Sequence, residues 1–273
     1  MSKLFFAVVI YNKKICDSIT CVELENIIKT EKVIIADNSE KENDAEKVCS
    51  EKKWVYISMN GNKGLSAAYN AVIDYIKKNE EYSEDDAIIL LDDDTKVTNE
   101  YIFKLKEMLK MHNDINIFMP IIKDKNNIII SPSEYTKLKI NKIRNYEEAV
   151  NLRRERFLAI NTCLAIRMKI FNSYAYDTKL FLDQVDNQFF YDMRRKGEKF
   201  LCINSVIKQD FFSTNNKDYS KEIIRKKIEK KDYKNFVSDK SILEKTMYYF
   251  RILFWKVRGC IKYKKIKYFI DLK

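Results

Sequence analysis

The stretch Ala87-Ile88-Ile89-Leu90-Leu91-Asp92-Asp93-Asp94-Thr95 decides the fold. Five apolar residues bounded by charge are too few for a buried helix and suit a strand covered on both faces. Alternation carried past its end sends Asp92 and Asp94 to one side and Asp93 to the other. Two carboxylates on one side raise each other's pKa or call for a cation. An all-oxygen site at the mouth of a sheet suits Mg²⁺ or Mn²⁺, whose shell substrate phosphates complete. In isolation the same residues also read as a solvated acidic turn, so the flanks must decide.

Upstream, apolar runs alternate with helical patterns. Residues 4–10, 33–36 and 54–57 read as short buried strands. Residues 18–28 read as a helix capped by Asp17 or Ser18, and the charged stretch 40–53 as an exposed helix. After Asn60-Gly61-Asn62-Lys63-Gly64, the spacing of Leu65, Ala68, Tyr69, Val72, Ile73 and Ile76 predicts a helix with one buried face. Strand and helix in alternation imply right-handed crossovers and an α/β fold: a Rossmann-like, mostly parallel sheet flanked by helices. Ligands of such sheets bind beyond the carboxyl ends of the strands. Here those ends are Tyr11-Asn12, Asp37-Asn38 and Asp92 to Asp94. Together they describe a nucleotide-sized site, with a carboxylate for base or ribose and a metal for the diphosphate.

Further along, residues 101–111 read as a helix and 115–120 as a strand, the polar stretch up to 156 has no clear assignment, and 157–167 resumes as an apolar run. Val185, Phe189 and Met193 predict a helix from about 183 to 196, stopped by Gly197. Asp183 is its expected N-cap and Asp186 lies in the first turn, where the helix dipole favours a carboxylate. One acid would suffice for capping, so the second is surplus. Residues 200–207 read as the next strand.

Composition narrows the classes. With four Gly and two Pro in 273 residues there is no P-loop and no G-x-G-x-x-G fingerprint. The single histidine, His112, reads as a surface residue near a helix end and excludes multi-histidine zinc sites. Six cysteines without a C-x-x-C pair read as reduced thiols in a cytoplasm. Lys3 before an apolar run imitates a signal peptide, but the absence of a small-residue cleavage site favours a first strand.

These landmarks resemble glycosyltransferase family 2, the inverting enzymes with the GT-A fold, and within it the bacterial rhamnosyltransferase-like branch of surface polysaccharide synthesis. FFAVVIYN resembles the opening strand, VIIADNS the second strand with its nucleoside-contacting Asp, and NKGLSAAYNAVI the Asn-x-Gly turn and helix. LLDDDT resembles the metal motif and LFLDQVDNQFFYDMRRKG the segment carrying the catalytic base. The resemblance spans about residues 3–215 and implies these roles: Tyr11 and Asp37 contact the nucleoside with Asn12 nearby; Asn62 and Asn70 support the pocket floor; Asp92 lies near the ribose, with Asp93 in the variable middle place; Asp94 holds Mn²⁺ or Mg²⁺; Asp186 is the general base, with Asp183 the preceding acid. Where the family commonly presents a metal-ligating His, this chain has Gln209-Asp210, either of which could ligate through oxygen.

The implied partners are a UDP- or dTDP-linked sugar donor and a glycan acceptor, expected to be lipid-linked. The division expected is a catalytic domain at 1–215 and a helical, basic and aromatic extension at 216–273. From Ser241 onward nine Lys or Arg face two acids, interleaved with aromatics. That pattern suits peripheral contact with an anionic membrane, on its cytoplasmic face, and leaves nucleic acid aside because it would not explain the acidic pocket. The alternatives are an ordinary packed helix with a solvated Lys face, a sugar nucleotidyltransferase, whose Gly- and Lys/Arg-rich phosphate loop is missing after the first strand, and a non-enzymatic adaptor using the tail alone.

Overall fold

The computed structural model describes residues 2–136, 140–209 and 218–272. Four parallel strands make the half of the sheet that carries the acidic run: β1 (Leu4–Ile10), β2 (Lys32–Asp37), β3 (Val55–Ser58) and β4 (Ala87–Asp92). Their register pairs Val9 with Asp92, Ile10 with Asp37 and Asp37 with Ser58, so the carboxyl ends are flush. The intervening helices are α1 (Ile19–Ile27), α2 (Ala45–Lys52) and α3 (Leu65–Asn79), followed after β4 by α4 (Asn99–Met111). Ser18, not Asp17, caps α1 by accepting from the Cys21 N–H, and Thr98 caps α4.

Three more strands complete the main order β3-β2-β1-β4-β10-β5-β11, where β5 is Ile117–Lys123, β10 is Leu164–Arg167 and β11 is Phe200–Lys208. Only β10 runs against its neighbours in that series, so β5 and β11 point the same way as β4. The carboxyl end of β11 therefore meets the acidic end of β4. Strand order reverses between β1 and β4, and the crevice at such a reversal is where ligands of α/β sheets bind.

The continuous apolar runs follow from coverage on both faces. Phe5, Ala7, Ile88 and Leu90 pack on α3 and on the later helices α6 (Val185–Lys196), α7 (Tyr219–Val237) and α8 (Ile242–Tyr263). Phe6, Val8, Ile89 and Leu91 pack toward α1, α2 and α4. The stretch without a sequence assignment forms β6 (Ile129–Ser131), which pairs with β5, then β7 (Ser133–Tyr135), β8 (Ile140–Lys142) and the short helix α5 (Tyr146–Val150). Strand β9 (Phe157–Leu158) joins β7 and β8 in a small separate sheet.

Two expectations are corrected. The apolar run at 157–167 is not one element: it breaks at Asn161-Thr162-Cys163, where Cys163 takes φ 53° and the Leu164 N–H bonds the Asn161 carbonyl, before returning as β10. Nor does Asp183 cap α6. The cap is Gln184 in the left-handed region at φ 63°, because the Asp183 carboxylate is turned to Arg225. The boundary drawn near residue 215, like Asp210, lies outside the described residues. Helix α7 packs into the main core through Tyr233, Phe236 and Val237, with Tyr248 and Ile252 of α8 beside them.

Helix α9 (Lys267–Asp271) folds back so that the Tyr268 ring lies directly on Gly259 of α8. A Cβ at Gly259 would sit 2.0 Å from the ring's Cε1. Gly259→Ala is expected to lower stability by about 1–3 kcal/mol through overpacking, read as a drop in the urea midpoint.

Candidate functional site

The acidic turn is stitched to the start of α1. Thr20 Oγ1 donates to a main-chain carbonyl of the turn and accepts the Thr95 N–H at 2.8 Å, while Ser18 Oγ donates to the Asp93 carbonyl at 2.8 Å. Both side chains are fully buried, so these bonds fix the backbone that aims the carboxylates. As alternation requires, Asp93 turns one way and meets Lys13 Nζ at 2.7 Å across the crevice between β1 and β4. Asp92 and Asp94 turn the other way and share one donor: Gln209 Nε2 lies 3.2 Å from Asp92 Oδ2 and 3.0 Å from Asp94 Oδ1. Thr162 Oγ1, delivered by the turn before β10, donates to Asp92 Oδ2 at 2.6 Å. Burial first, then neighbouring carboxylate charge, holds Asp92 and Asp94 above the usual carboxylate range.

Asp37 is buried at the end of β2. Its Oδ1 accepts the Ser39 N–H, and its Oδ2 accepts from Asn43 and the Tyr56 hydroxyl. Tyr11 is 46% exposed and donates to Glu40. Asn12, at φ 50°, accepts the Glu40 and Lys41 N–H groups and so folds the loop after β1 against the loop after β2. Asn62 Oδ1 accepts the Gly64 N–H, and Asn38 bonds both Lys63 and Gly64. Gly64 could not be another residue without movement, since a Cβ there would lie 2.5 Å from the Phe181 carbonyl oxygen, which accepts the Leu65 N–H at 2.6 Å. Asn70 is engaged in two hydrogen bonds with the backbone of Tyr176, which makes it a brace of the segment before α6.

That segment is the second half of the site. The buried carboxylate of Asp232, on α7, accepts the N–H groups of Phe181, Leu182 and Asp183 at 3.0, 2.8 and 2.8 Å. Arg225 of the same helix pairs with Asp183 through both terminal nitrogens. Asp186 follows in the first turn of α6, its Oδ1 accepting the Asn187 N–H at 2.7 Å. Burial pushes the Asp186 carboxyl up to about 6, with Asp183 and Asp92 adding to the shift, so Asp186 lies within the field of the acidic turn. Tyr69, fully buried on α3, has its hydroxyl in the field of both Asp92 and Asp186.

The structure thus brings together Asp92, Asp93, Asp94, Gln209 and Asp186, with Asp37, Tyr11, Asn12 and Asn62 along the same sheet edge. Sequence reasoning missed Thr162, Tyr69, Asp232, Arg225 and the two hydroxyls of α1. Thr162 leaves a trace as a polar interruption of an apolar run; Asp232 leaves none, being one of three acids in a lysine-rich helix.

The Glycosyl transferase family 2 model matches residues 7–175, more than half of the chain, from the first strand past β10. The chain belongs to glycosyl transferase family 2. Family membership makes glycosyl transfer its general chemistry, with a nucleotide-sugar donor and a glycan acceptor, and enzymes of this family generally use a divalent metal. No curated protein matches the sequence. Among solved structures, S. aureus TarS 1–349 superposes at TM-score 0.54 and 12% identity, covering 92% of this chain and 79% of that one. Glucosyl-3-phosphoglycerate synthase from Mycobacterium tuberculosis, solved with phosphoglyceric acid, gives 0.54 and 10%, covering 87% and 79%. At such identities these two establish the GT-A fold alone.

Two outcomes are expected. Thr20→Val, nearly isosteric, removes the hydroxyl that ties the turn to α1 and leaves buried backbone groups unpaired; a loss of about 1–3 kcal/mol is expected in chemical denaturation. For Asp186, a folded pKa above the unfolded value means its contribution is fully present below about pH 4 and lost as pH rises through 6, so the ionised group is destabilising at neutral pH. Asp186→Asn is expected to stabilise the protein at pH 7.5 by on the order of 1–3 kcal/mol, a gain that vanishes in melts near pH 4.

Proposed function

We propose that the chain is an inverting glycosyltransferase that moves a sugar from a UDP- or dTDP-linked donor to a lipid-linked glycan, in the rhamnosyltransferase-like branch that builds bacterial surface polysaccharides. The observation that carries the reading is Asp186, a carboxylate with a raised pKa at a helix start, within the field of the acidic turn. A hydroxyl nucleophile attacking the anomeric carbon opposite the diphosphate needs one base on the acceptor side and charge compensation on the leaving side, and those are the two halves of this site.

Asp186 takes the acceptor proton as the bond forms; a positioned carboxylate contributes about 10²–10⁴-fold. Arg225 and Asp232 are positioning residues that hold Asp183 and the backbone before Asp186, with Asp183 the preceding acid of the base segment. Asp37, Tyr11 and Asn12 hold the nucleoside end, Asn62 and Asn70 support the loops around it, and Asp92 lies near the ribose. Lys13, paired with Asp93 at the crevice, keeps a cation beside the diphosphate.

The donor set fits Mg²⁺ or Mn²⁺. Asp94 and Asp92 crowd negative charge around one amide, and the Gln209 Oε1 atom is buried without a hydrogen-bond partner. No group of three His, Cys, Asp or Glu able to hold a metal occurs among the described residues. One or two carboxylates, an amide oxygen and substrate phosphates are a sufficient shell for Mg²⁺. Asp94 and Gln209 would hold the ion, which when bound neutralises charge growing on the leaving diphosphate.

The basic, aromatic C-terminal helices support peripheral contact with the cytoplasmic face of a membrane, where a lipid-linked acceptor would be met. No helix among the described residues is long and apolar enough to cross a membrane.

Thermal shifts with a panel of nucleotide sugars, with and without Mn²⁺, test the donor; the reading expects metal-dependent stabilisation by a UDP- or dTDP-sugar, and no response to any would overturn it. Asp186→Asn is expected to abolish transfer while leaving donor affinity within about twofold, and wild-type turnover to fall as pH drops below about 6. In calorimetry, Asp94→Ala is expected to erase the Mn²⁺-dependent part of nucleotide affinity, and unchanged affinity would remove the metal assignment.

A further inference from the structure

Helix α8 carries two apolar faces. One, formed by Tyr248, Ile252, Trp255 and Gly259, turns inward onto α7 and α9. The other, formed by Ile242, Phe250, Leu253, Phe254, Val257 and Ile261, lies on the opposite side and is between 46% and 84% exposed. With 3.6 residues per turn the centres of the two sets fall about half a turn apart, so the second stripe is not the margin of the first. Its rise from Ile242 to Ile261 is about 28 Å, most of the length of the helix.

Cations border the outer stripe on both sides. Lys245 lies exposed along one edge and Arg258 along the other, while Lys256, Arg251 and Lys262 on the same edges are turned to Phe269, Tyr233 and Glu222. The one acid in α8, Glu244, is at its N-terminal end in the capping box with Ser241. Beyond the helix, Ile266 and Ile270 are also exposed, with Lys264, Lys265 and Lys267 near them in sequence.

We propose that this outer face of α8 lies in the plane of an anionic bilayer, with its apolar stripe at the headgroup–acyl boundary and cations at its edges on acidic headgroups. This deepens the membrane contact proposed above and rests on that reading of where the enzyme works. An apolar stripe between two cationic edges complements anionic lipid. A second copy of the same face would set its cations against their own kind. One edge of the same stripe gives the placement a catalytic consequence. Met247 and Arg251 share a pocket with Tyr233 and Phe236 of α7 and with Gln184 and Asn187, the residues flanking Asp186. The helix on the membrane is thus the wall of a pocket next to the proposed base, which suits an acceptor whose lipid end stays in the bilayer.

The test is flotation of the full chain with phosphatidylcholine vesicles and with vesicles containing about one third phosphatidylglycerol. Binding is expected to the second and not the first, and to weaken as salt rises. The double variant Phe250→Glu with Phe254→Glu, at two exposed positions, is expected to weaken binding at least about tenfold. Lys245→Glu with Arg258→Glu is expected to weaken it similarly, with the circular dichroism spectrum and thermal midpoint of both variants unchanged. Equal binding to neutral vesicles, no binding to either, or indifference to the Phe variants would overturn the proposal. So would a dimer in sedimentation velocity that the Phe variants dissolve. The assay needs no turnover. Donor-induced thermal shifts on the same preparations show separately whether the transferase reading stands, so failure of one is distinguishable from failure of the other.

Discussion

Three like charges crowded at the end of a buried strand repel one another, and much of the chain around β4 is arranged to hold them in place. The backbone of the turn cannot splay, because Ser18 and Thr20 grip its carbonyls from the first turn of α1. The side chains are divided: Asp93 goes to Lys13, while Asp92 and Asp94 converge on one amide of Gln209, with Thr162 bonding Asp92 from the turn before β10. Since α1, β10 and β11 each contribute a member, the order of strands in the sheet is itself a requirement of the acidic turn. Burial first and neighbouring charge second raise the pKa of Asp92 and Asp94, and that uncompensated charge would favour a cation.

The base side is held by a different device. Asp183 and the backbone leading to Asp186 are set from α7, a helix far along the chain, by one buried carboxylate and one guanidinium. Gln184 adopts a left-handed conformation to make the turn, a local strain that these contacts sustain. The consequence is that Asp186 follows a braced corner, at a depth that lifts its pKa, as the role proposed for it would require.

Much of this could be read in the sequence where chemistry is local. The strand ending in Asp92, the helix face from Leu65 to Ile76, the cap at Ser18 and the stop at Gly197 follow from periodicity and short-range bonding, and the structure places them within a residue or two of expectation. What could not be read depends on distance along the chain. Nothing near Asp232 signals that it will accept three N–H groups some fifty residues upstream, and nothing near Asp183 signals that an arginine will draw it away from the helix it was expected to cap. The return of β10 against its neighbours was concealed by an apolar run that looks the same in either direction. Thr162 became meaningful only once that return placed it on Asp92.

The contact of Gly64 with the Phe181 carbonyl joins the loop that follows β3 to the corner that precedes Asp186. There is no space at that joint for even a methyl group, so neither loop can shift without moving the other. On the roles proposed above, an occupant that tightened the loop before α3 would also steady the segment that carries Asp186.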